Sequence, residues 1–257
     1  MSPLKIEVAG NTDVGRKRTH NEDNFLLFPE QKLFCVADGM GGHSSGEVAS
    51  KIAVNEIASF FDRTGRDEDA TWPYKMDRTR SYEENRLVTG IKLANLRIFE
   101  RAQVEARYKG MGTTIVSIYF TKDAALVGHV GDSRVYLFRG GALQQVTEDH
   151  SLLNDYIKAK KLTPEEIEKF PHKNVIVRAL GMKDQVQVDV NRLELQPGDV
   201  FLLCSDGLSG MVPDPKMTEL LAATPDLEGA VKTLIDAANA AGGVDNVTVI
   251  LARVATA

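Results

Sequence analysis

Four aspartates in this chain sit where apolar runs stop. Leu33 to Gly42 reads LFCVADGMGG and ends its run at Asp38, and Val200 to Gly207, VFLLCSDG, repeats the pattern at Asp206. Ala124 to Arg134, AALVGHVGDSR, reaches Asp132, and Gly242 to Leu251, GGVDNVTVIL, sets Asp245 just ahead of a strand. Each has a glycine within three residues, which lets the backbone turn sharply and approach a small ligand closely. A carboxylate delivered to the rim of a buried strand is costly unless it is paired or holds a cation. As all-oxygen donors such groups select Mg²⁺ or Mn²⁺ over zinc, and if gathered they repel one another until cations neutralise them. Two such ions about 3.5 to 4 Å apart share a water, lower its pKa and clamp a phosphoryl group for in-line attack. The complementary cation is at hand: in RTHNED, Arg18 stands four residues before Glu22 and five before Asp23. A planar guanidinium suits a phosphate dianion bidentately.

The elements that must position these residues are read from periodicity. Short strands are expected at Lys5 to Thr12, Asn24 to Phe28 and Lys32 to Ala37. From Ser45 the period changes: Val54, Ile57, Ala58 and Phe61 predict an amphipathic helix to about Phe61, with Ser44 or Ser45 as N-cap. Asp62 to Glu84 is charged and aperiodic and reads as an exposed insertion, followed by a helix from Tyr82 to about Tyr108. Strands at Thr113 to Phe120, Ala124 to Val130, Arg134 to Arg139 and Leu143 to Val146 follow so closely that they must pair antiparallel, because parallel neighbours need a long crossover. Ser151 to Lys160 and Pro164 to Phe170 predict two short helices, the second capped by Thr163, and Asp149 to Val175 reads as a surface flap. Strands resume at Val175 to Leu180, Val186 to Leu193 and Val200 to Cys204. The stripe Leu227, Ala230, Val231, Leu234, Ile235, Ala238 is a helix, and Val247 to Val254, apolar on both faces, a central strand. No repeat, low-complexity tract or linker divides the 257 residues, so one domain over 1–257 is expected, layered α+β with helices covering the outer faces of sheet.

Composition narrows the function classes. A net charge of −5 with no basic stripe argues against nucleic acid or an anionic membrane as partner. MSPLKIEVAG lacks the apolar core of a signal peptide, and no run approaches the ~20 residues that span a bilayer. Cys35 and Cys204 lie inside apolar runs with no close Cys or His partner, so they read as reduced core residues of a cytoplasmic protein.

Plainer readings compete for several positions. Gly39-Met40-Gly41-Gly42 could be a nucleotide loop, but it lacks the third glycine of GxGxxG and the P-loop lysine, and Asp38 would repel a phosphate. Asp132 could be a turn carboxylate paired with Arg134, and Asp149 and His150 could simply begin a helix. His43 reads as a helix-start histidine, while His20, His129, His150 and His172 show no mutual spacing that suggests ligation.

Taken together and in order, RTHNED, VADGMGGHSSGEVAS, GDSR, CSDGL and GGVDNVTVI resemble the motif series of the metal-dependent protein phosphatase family (PPM, or type 2C) in its bacterial form. The likeness extends over TEDHSLLND and the flap, leaving out only Asp62 to Glu84. It implies a four-layer αββα sandwich of two antiparallel sheets flanked by helix pairs, with metals in a cleft at one edge. By position, Asp38 matches the carboxylate that bridges two metals, Gly39 a carbonyl ligand, and Asp206 and Asp245 the remaining holders. Glu22 and Asp23 match residues that bind metal-bound waters, Arg18 the phosphate-binding arginine, and Asp132 a ligand, with Asp206, of a third, weaker ion. The implied reaction is hydrolysis of phosphoserine and phosphothreonine by metal-activated water, without a phosphoenzyme. Two positions depart from the family: Met40 stands where some members carry a histidine as general acid, and Asn174 where some bacterial relatives carry a serine near the third metal.

The expectation is therefore a Mn²⁺- or Mg²⁺-dependent serine/threonine phosphatase, a monomer, acting on phosphorylated proteins and opposing a Ser/Thr kinase. A catalytically silent phosphoprotein-binding module on the same fold is the alternative, and it would require a missing ligand or a missing Arg18. A carboxylate-cluster phosphodiesterase acting on nucleic acid is a third, disfavoured by the acidic balance.

Overall fold

In the computed structural model, residues 4–41, 45–67, 70–160, 163, 166–167 and 175–256 are described. The chain runs β1 (Leu4–Asp13), β2 (Asp23–Phe28), β3 (Leu33–Met40), α1 (Ser45–Arg66), α2 (Tyr82–Val104), β4 (Gly112–Thr113), β5 (Ile115–Phe120), β6 (Ala124–Val130), β7 (Arg134–Arg139), β8 (Ala142–Gln145) and α3 (Leu152–Lys160). It continues through β9 (Asp189–Glu194), β10 (Val200–Cys204), α4 (Asp206–Ser209), α5 (Asp214–Ala223), α6 (Leu227–Ala240) and β11 (Val247–Thr256).

The architecture follows from strands that are apolar on both faces. In β3, Leu33, Cys35 and Ala37 pack against residues of α1 and α2, while Phe34 and Val36 turn the other way, toward Phe201 and Ile250. In β10, Val200, Leu202 and Cys204 pack on the side of α5 and α6, and Phe201 and Leu203 face inward. A strand with no polar face must be covered twice, so each sheet lies between a helix layer and the other sheet. One sheet has the order β1-β11-β10-β7-β8, the other β2-β3-β5-β6-β9 with β4 on β3, and every ladder is antiparallel. This is the expected αββα sandwich, and β11 is the expected interior strand, paired on both edges.

Three local expectations need correction, and one helix was not anticipated. Asp62 to Glu84 is anchored rather than simply exposed: α1 continues to Arg66, Trp72 packs edge-on to Phe60 at 5.6 Å, and Asp77 exchanges hydrogen bonds with the Asn85 side chain. Val175 to Leu180 forms only single bridges, Ile176 with Ser151 and Leu180 with Thr113, and the strand placed at Val186 begins at Asp189. Helix α5 escaped the pattern because only Met217 and Leu221 of its residues are buried. The helix over Pro164 to Phe170 lies mostly outside the described residues, although Thr163 and Glu166 make reciprocal capping hydrogen bonds.

Phe201 is fully buried between the sheets, its ring 5.5 Å from that of Phe120. Phe201→Ala is expected to cost about 3–5 kcal/mol in urea unfolding. Val104→Ala, at a position 81% exposed, should stay within about 0.5 kcal/mol.

Candidate active site

Antiparallel register brings the first two carboxylates together. Asp23 on β2 is directly opposite Asp38 on β3, so both side chains leave the same face, the one that Phe34 and Val36 point from, toward the other sheet. Like charges in that relation repel. The opposing sheet supplies hydroxyls: Thr248 Oγ1 donates to Asp23 Oδ2 at 2.6 Å and Ser205 Oγ to the same oxygen at 2.8 Å. Ser205 directly follows β10 and Thr248 is the second residue of β11, so the site forms where these two strand ends meet β2 and β3.

The main chain of Asp38 is held firmly. Its carbonyl accepts from Thr114 N–H at 2.9 Å and Thr113 Oγ1 at 2.8 Å, and its N–H donates to Thr114 Oγ1 at 3.1 Å. Gly39 is wedged between the start of α1 and the β1–β2 loop, where a Cβ would overlap the carbonyls of Gly46 and Glu22. No other residue fits that close backbone approach.

Asp206 opens α4, close enough to Asp38 for its charge to raise that carboxyl. Asp245 lies in the turn before β11, where its Oδ1 accepts from Asn246 N–H and its Oδ2 takes a 2.7 Å ion pair from Arg18. Asn246 ties that turn to the β1–β2 loop: its Oδ1 accepts from Glu22 N–H at 2.8 Å, and its Nδ2 donates to the carbonyls of Val14 and His20, both at 3.0 Å. Asp132, on the turn after β6, is buried, and its Oδ1 has no hydrogen-bond partner. Arg134 does not pair with it. That guanidinium forks onto Asp149 instead, so the turn-pair reading of Asp132 fails and Asp149 is an ion-pair residue rather than a helix start.

The electrostatics record the convergence. Burial, then repulsion from Asp23, Asp206, Asp132 and Asp245, raises the Asp38 carboxyl well above the ordinary range. Burial, partly offset by its two hydroxyl donors, pushes Asp23 up to about 7, and burial together with Asp206 and Asp149 pushes Asp132 up to about 7. Burial and Asp245 also raise Asp206. Glu22 Oε1 is buried without a hydrogen-bond partner, with His20 Nε2 at 3.6 Å. Opposing all this is the half-exposed Arg18, strengthened as a base chiefly by Asp245. Such a set of unpartnered hard oxygens suits a hard divalent cation.

Arg18, Glu22, Asp23, Asp38, Gly39, Asp206, Asp245 and Asp132 are thus all drawn to one end of the sandwich. Asn246, Ser205, Thr248, Thr113 and Thr114 are not singled out by sequence; Asn246 and Ser205 adjoin a candidate acid and Thr248 is three residues from one, whereas Thr113 and Thr114 carry no such signal. The histidines also need correction. His129, His150 and Asp189 present metal-capable atoms within 4.8 Å of one another, and the His rings stack at 4.7 Å. Arg178 Nη1, however, stands 3.0 Å from both His150 Nε2 and Asp189 Oδ1, so a guanidinium already serves as the cation there. His43, His172 and Asn174 lie outside the described residues.

Residues 14–245 match the family described as Protein phosphatase 2C. The chain is 37% identical over 249 residues to protein phosphatase PhpP of Streptococcus pneumoniae, covering 96% of each. It superposes on the crystal structure of the Mycobacterium tuberculosis serine/threonine phosphatase PstP/Ppp with a TM-score of 0.85 at 34% identity, covering 97% of this chain and 99% of that one. The catalytic domain of PstP in complex with two manganese ions gives 0.82 at 34% identity over 98% and 99%. An αββα sandwich with an acidic cleft at one end defines the class, a phosphatase fold built around clustered carboxylates. The chain belongs to the protein phosphatase 2C family.

The raised acids set a pH dependence in chelating buffer. Asp23 and Asp132 hold protons to about pH 7 when folded, against ordinary values near 4, so the stability they contribute is complete below about pH 4 and lost as pH rises through 7. His129 and His150, pushed down by burial, act in the opposite sense below about pH 6.5. The urea midpoint is expected to fall as pH rises from about 4 to about 7.5, the histidines offsetting part of the fall below about pH 6.5, and to fall less in Asp132→Asn; an equal fall in both would contradict the assignment of Asp132.

Proposed function

We infer that this chain is a Mn²⁺- or Mg²⁺-dependent protein serine/threonine phosphatase, and that the cluster around Asp38 is its active site. The observation that carries the reading is the crowding of carboxyls at one end of the sandwich, with buried, unpartnered oxygens on Glu22 and Asp132 and Arg18 at its mouth. In this reading Asp38, the Gly39 carbonyl, Asp206 and Asp245 hold two ions, Asp132 and Asp206 hold a third, and Glu22 and Asp23 sit one layer further out. When bound, the ions supply a nucleophilic water at neutral pH and neutralise charge on the phosphoryl oxygens.

The chain's own residues do the rest. Thr113 and Thr114 fix the main chain of Asp38, which sets the position its carboxyl extends from. Asn246 holds the Asp245 turn against the loop carrying Arg18 and Glu22, which keeps the phosphate-binding and ion-binding groups in one frame. Among the described residues Arg18 has one ion-pair partner, Asp245, and its half-exposed side chain is free to exchange that carboxylate for the phosphate dianion of a substrate. Met40, in the place of the family's histidine, has no proton to give, so the serine or threonine leaving oxygen takes its proton from elsewhere.

Substrates of this reading are phosphorylated proteins. None of the positions matched to the family's ligands is replaced, which removes the ground for a silent binding module. We extend the reading to a cytoplasmic monomer, one domain over 1–257, opposing a bacterial Ser/Thr kinase. The free, buried Cys35 and Cys204 support the reducing compartment.

Hydrolysis of p-nitrophenyl phosphate and of a phosphothreonine peptide is expected to require Mn²⁺ and to stop with chelator. Asp38→Asn and Asp206→Asn should each lose more than about 100-fold, beyond the range of outer-layer substitutions. Turnover that survives chelation, or that is intact in either variant, contradicts the reading. Arg18→Ala is expected to raise KM by about 10- to 100-fold, the worth of a charge-assisted hydrogen bond, with a smaller change for Arg18→Lys.

A further inference from the structure

Asp132 has to be held in place by something, because its own Oδ1 has no partner. On its C-terminal side the holder is evident: Ser133 Oγ is 2.7 Å from Thr114 Oγ1, and Thr114 binds the main chain of Asp38. On its N-terminal side stands Gly131, just past the end of β6 and no longer served by the ladder to β5. Both of its peptide groups are taken by one residue. His150 N–H donates to Gly131 O at 2.9 Å, and Gly131 N–H donates to His150 Nδ1 at 3.0 Å. Gly131 has φ +114°, and a Cβ there would lie 2.7 Å from Thr114 Cβ, so its peptide is clamped between Thr114 and His150.

The imidazole is itself oriented. With Nδ1 accepting from Gly131, the ring proton belongs on Nε2, which faces Asp189 Oδ2 at 3.0 Å. Arg178 Nη1, 3.0 Å from that same Nε2, is then donor beside donor; its partner is Asp189 Oδ1 at 3.0 Å. Asp189 accordingly bridges Arg178 and His150, and His129 stacks on the ring from the other side, its Nε2 on the carbonyl of Glu148 at 3.0 Å. Val177 N–H on the His150 carbonyl at 2.9 Å closes the group onto the return of the flap.

We propose that His150, oriented by Asp189, is a positioning residue for Asp132: it fixes the Gly131 peptide and so holds the Asp132 carboxylate ready for a divalent ion. The proposal rests on the metal reading of the cleft, and it assigns a purpose to a buried histidine pair that otherwise resembles a metal site already filled by Arg178.

Two conservative variants separate the ring's contacts. Asn places an acceptor near the Nδ1 position, whereas Gln reaches only the Nε2 position, so His150→Asn keeps the Gly131 bond and His150→Gln loses it. In the full chain, hydrogen exchange of the Gly131 amide, read without metal, is expected to speed up at least about tenfold in His150→Gln and His150→Ala and to stay near the parent value in His150→Asn. Mn²⁺ titration calorimetry, with Asp132→Asn marking the step that depends on Asp132, should show that step weakened about 10- to 100-fold in His150→Gln, the range for groups that orient a metal ligand, with the tighter steps unchanged and largely restored binding in His150→Asn. Unchanged Gly131 exchange and an unchanged Asp132-dependent step in folded His150→Gln would overturn the proposal, as would an equal loss at every step in both variants. A parent chain that binds Mn²⁺ through Asp38 but shows no Asp132-dependent step overturns the proposal alone; a parent that binds no Mn²⁺ at all overturns the reading beneath it as well.

Discussion

Crowded negative charge is the constraint around which this molecule is arranged. Asp23 and Asp38 face each other across neighbouring strands, and Asp206, Asp132 and Asp245 are close enough to raise the Asp38 carboxyl further. A fold built for stability alone would scatter these groups. Keeping them together requires neutral donors at each backbone, and the structure supplies them from both sheets: Thr113, Thr114, Ser205, Thr248 and Asn246. These residues bind main chain or accept part of a carboxylate's burden without adding charge. The cluster therefore keeps a set of hard oxygens that suits a divalent cation.

The sandwich makes this possible because its two sheets contribute different things. Sheet strands β2 and β3 bring Asp23 and Asp38 outward from an interior of Phe34 and Val36, while β10 and β11 end in turns that carry Asp206 and Asp245. Only a doubly covered sheet keeps such strand ends fixed, since each is anchored on both faces by apolar packing. The helix layers serve as clamps rather than as bearers of chemistry. The exceptions are α4, which Asp206 opens, and the start of α1, where Gly46 lies against Gly39 with no space for a side chain on either.

Much of this was readable in the sequence, and the reasons for the failures are physical. Asp38, Asp206, Asp132 and Asp245 announce themselves because a charge at the end of an apolar run is locally anomalous, and no tertiary knowledge is needed to see it. Strand alternation and the stripe of α6 likewise disclose the layers. Asn246 and Thr248 were silent: a neutral hydrogen-bonding side chain is unremarkable until its partner, more than 200 residues away, is known. Val175 to Leu180 misled because β-branched residues fit a pleated strand, yet here they serve single bridges at the flap's return. His129 and His150 are twenty-one residues apart in sequence and could be joined only by the fold, which stacks them between β6 and the base of the flap.

The pairing of β1 with β11 runs the full length of both strands, from Leu4 with Thr256 to Asp13 with Val247. Its lower end fixes the loop with Arg18 beside the turn with Asp245, so the cleft is stitched from the two most distant stretches of the sequence. A ribosome delivers the first of them long before the last, at roughly 5–20 residues per second. During translation β1 has no strand to pair with, and the carboxylates already made lack their arginine's partner. The cleft is therefore complete only once β11 has been made and has paired with β1.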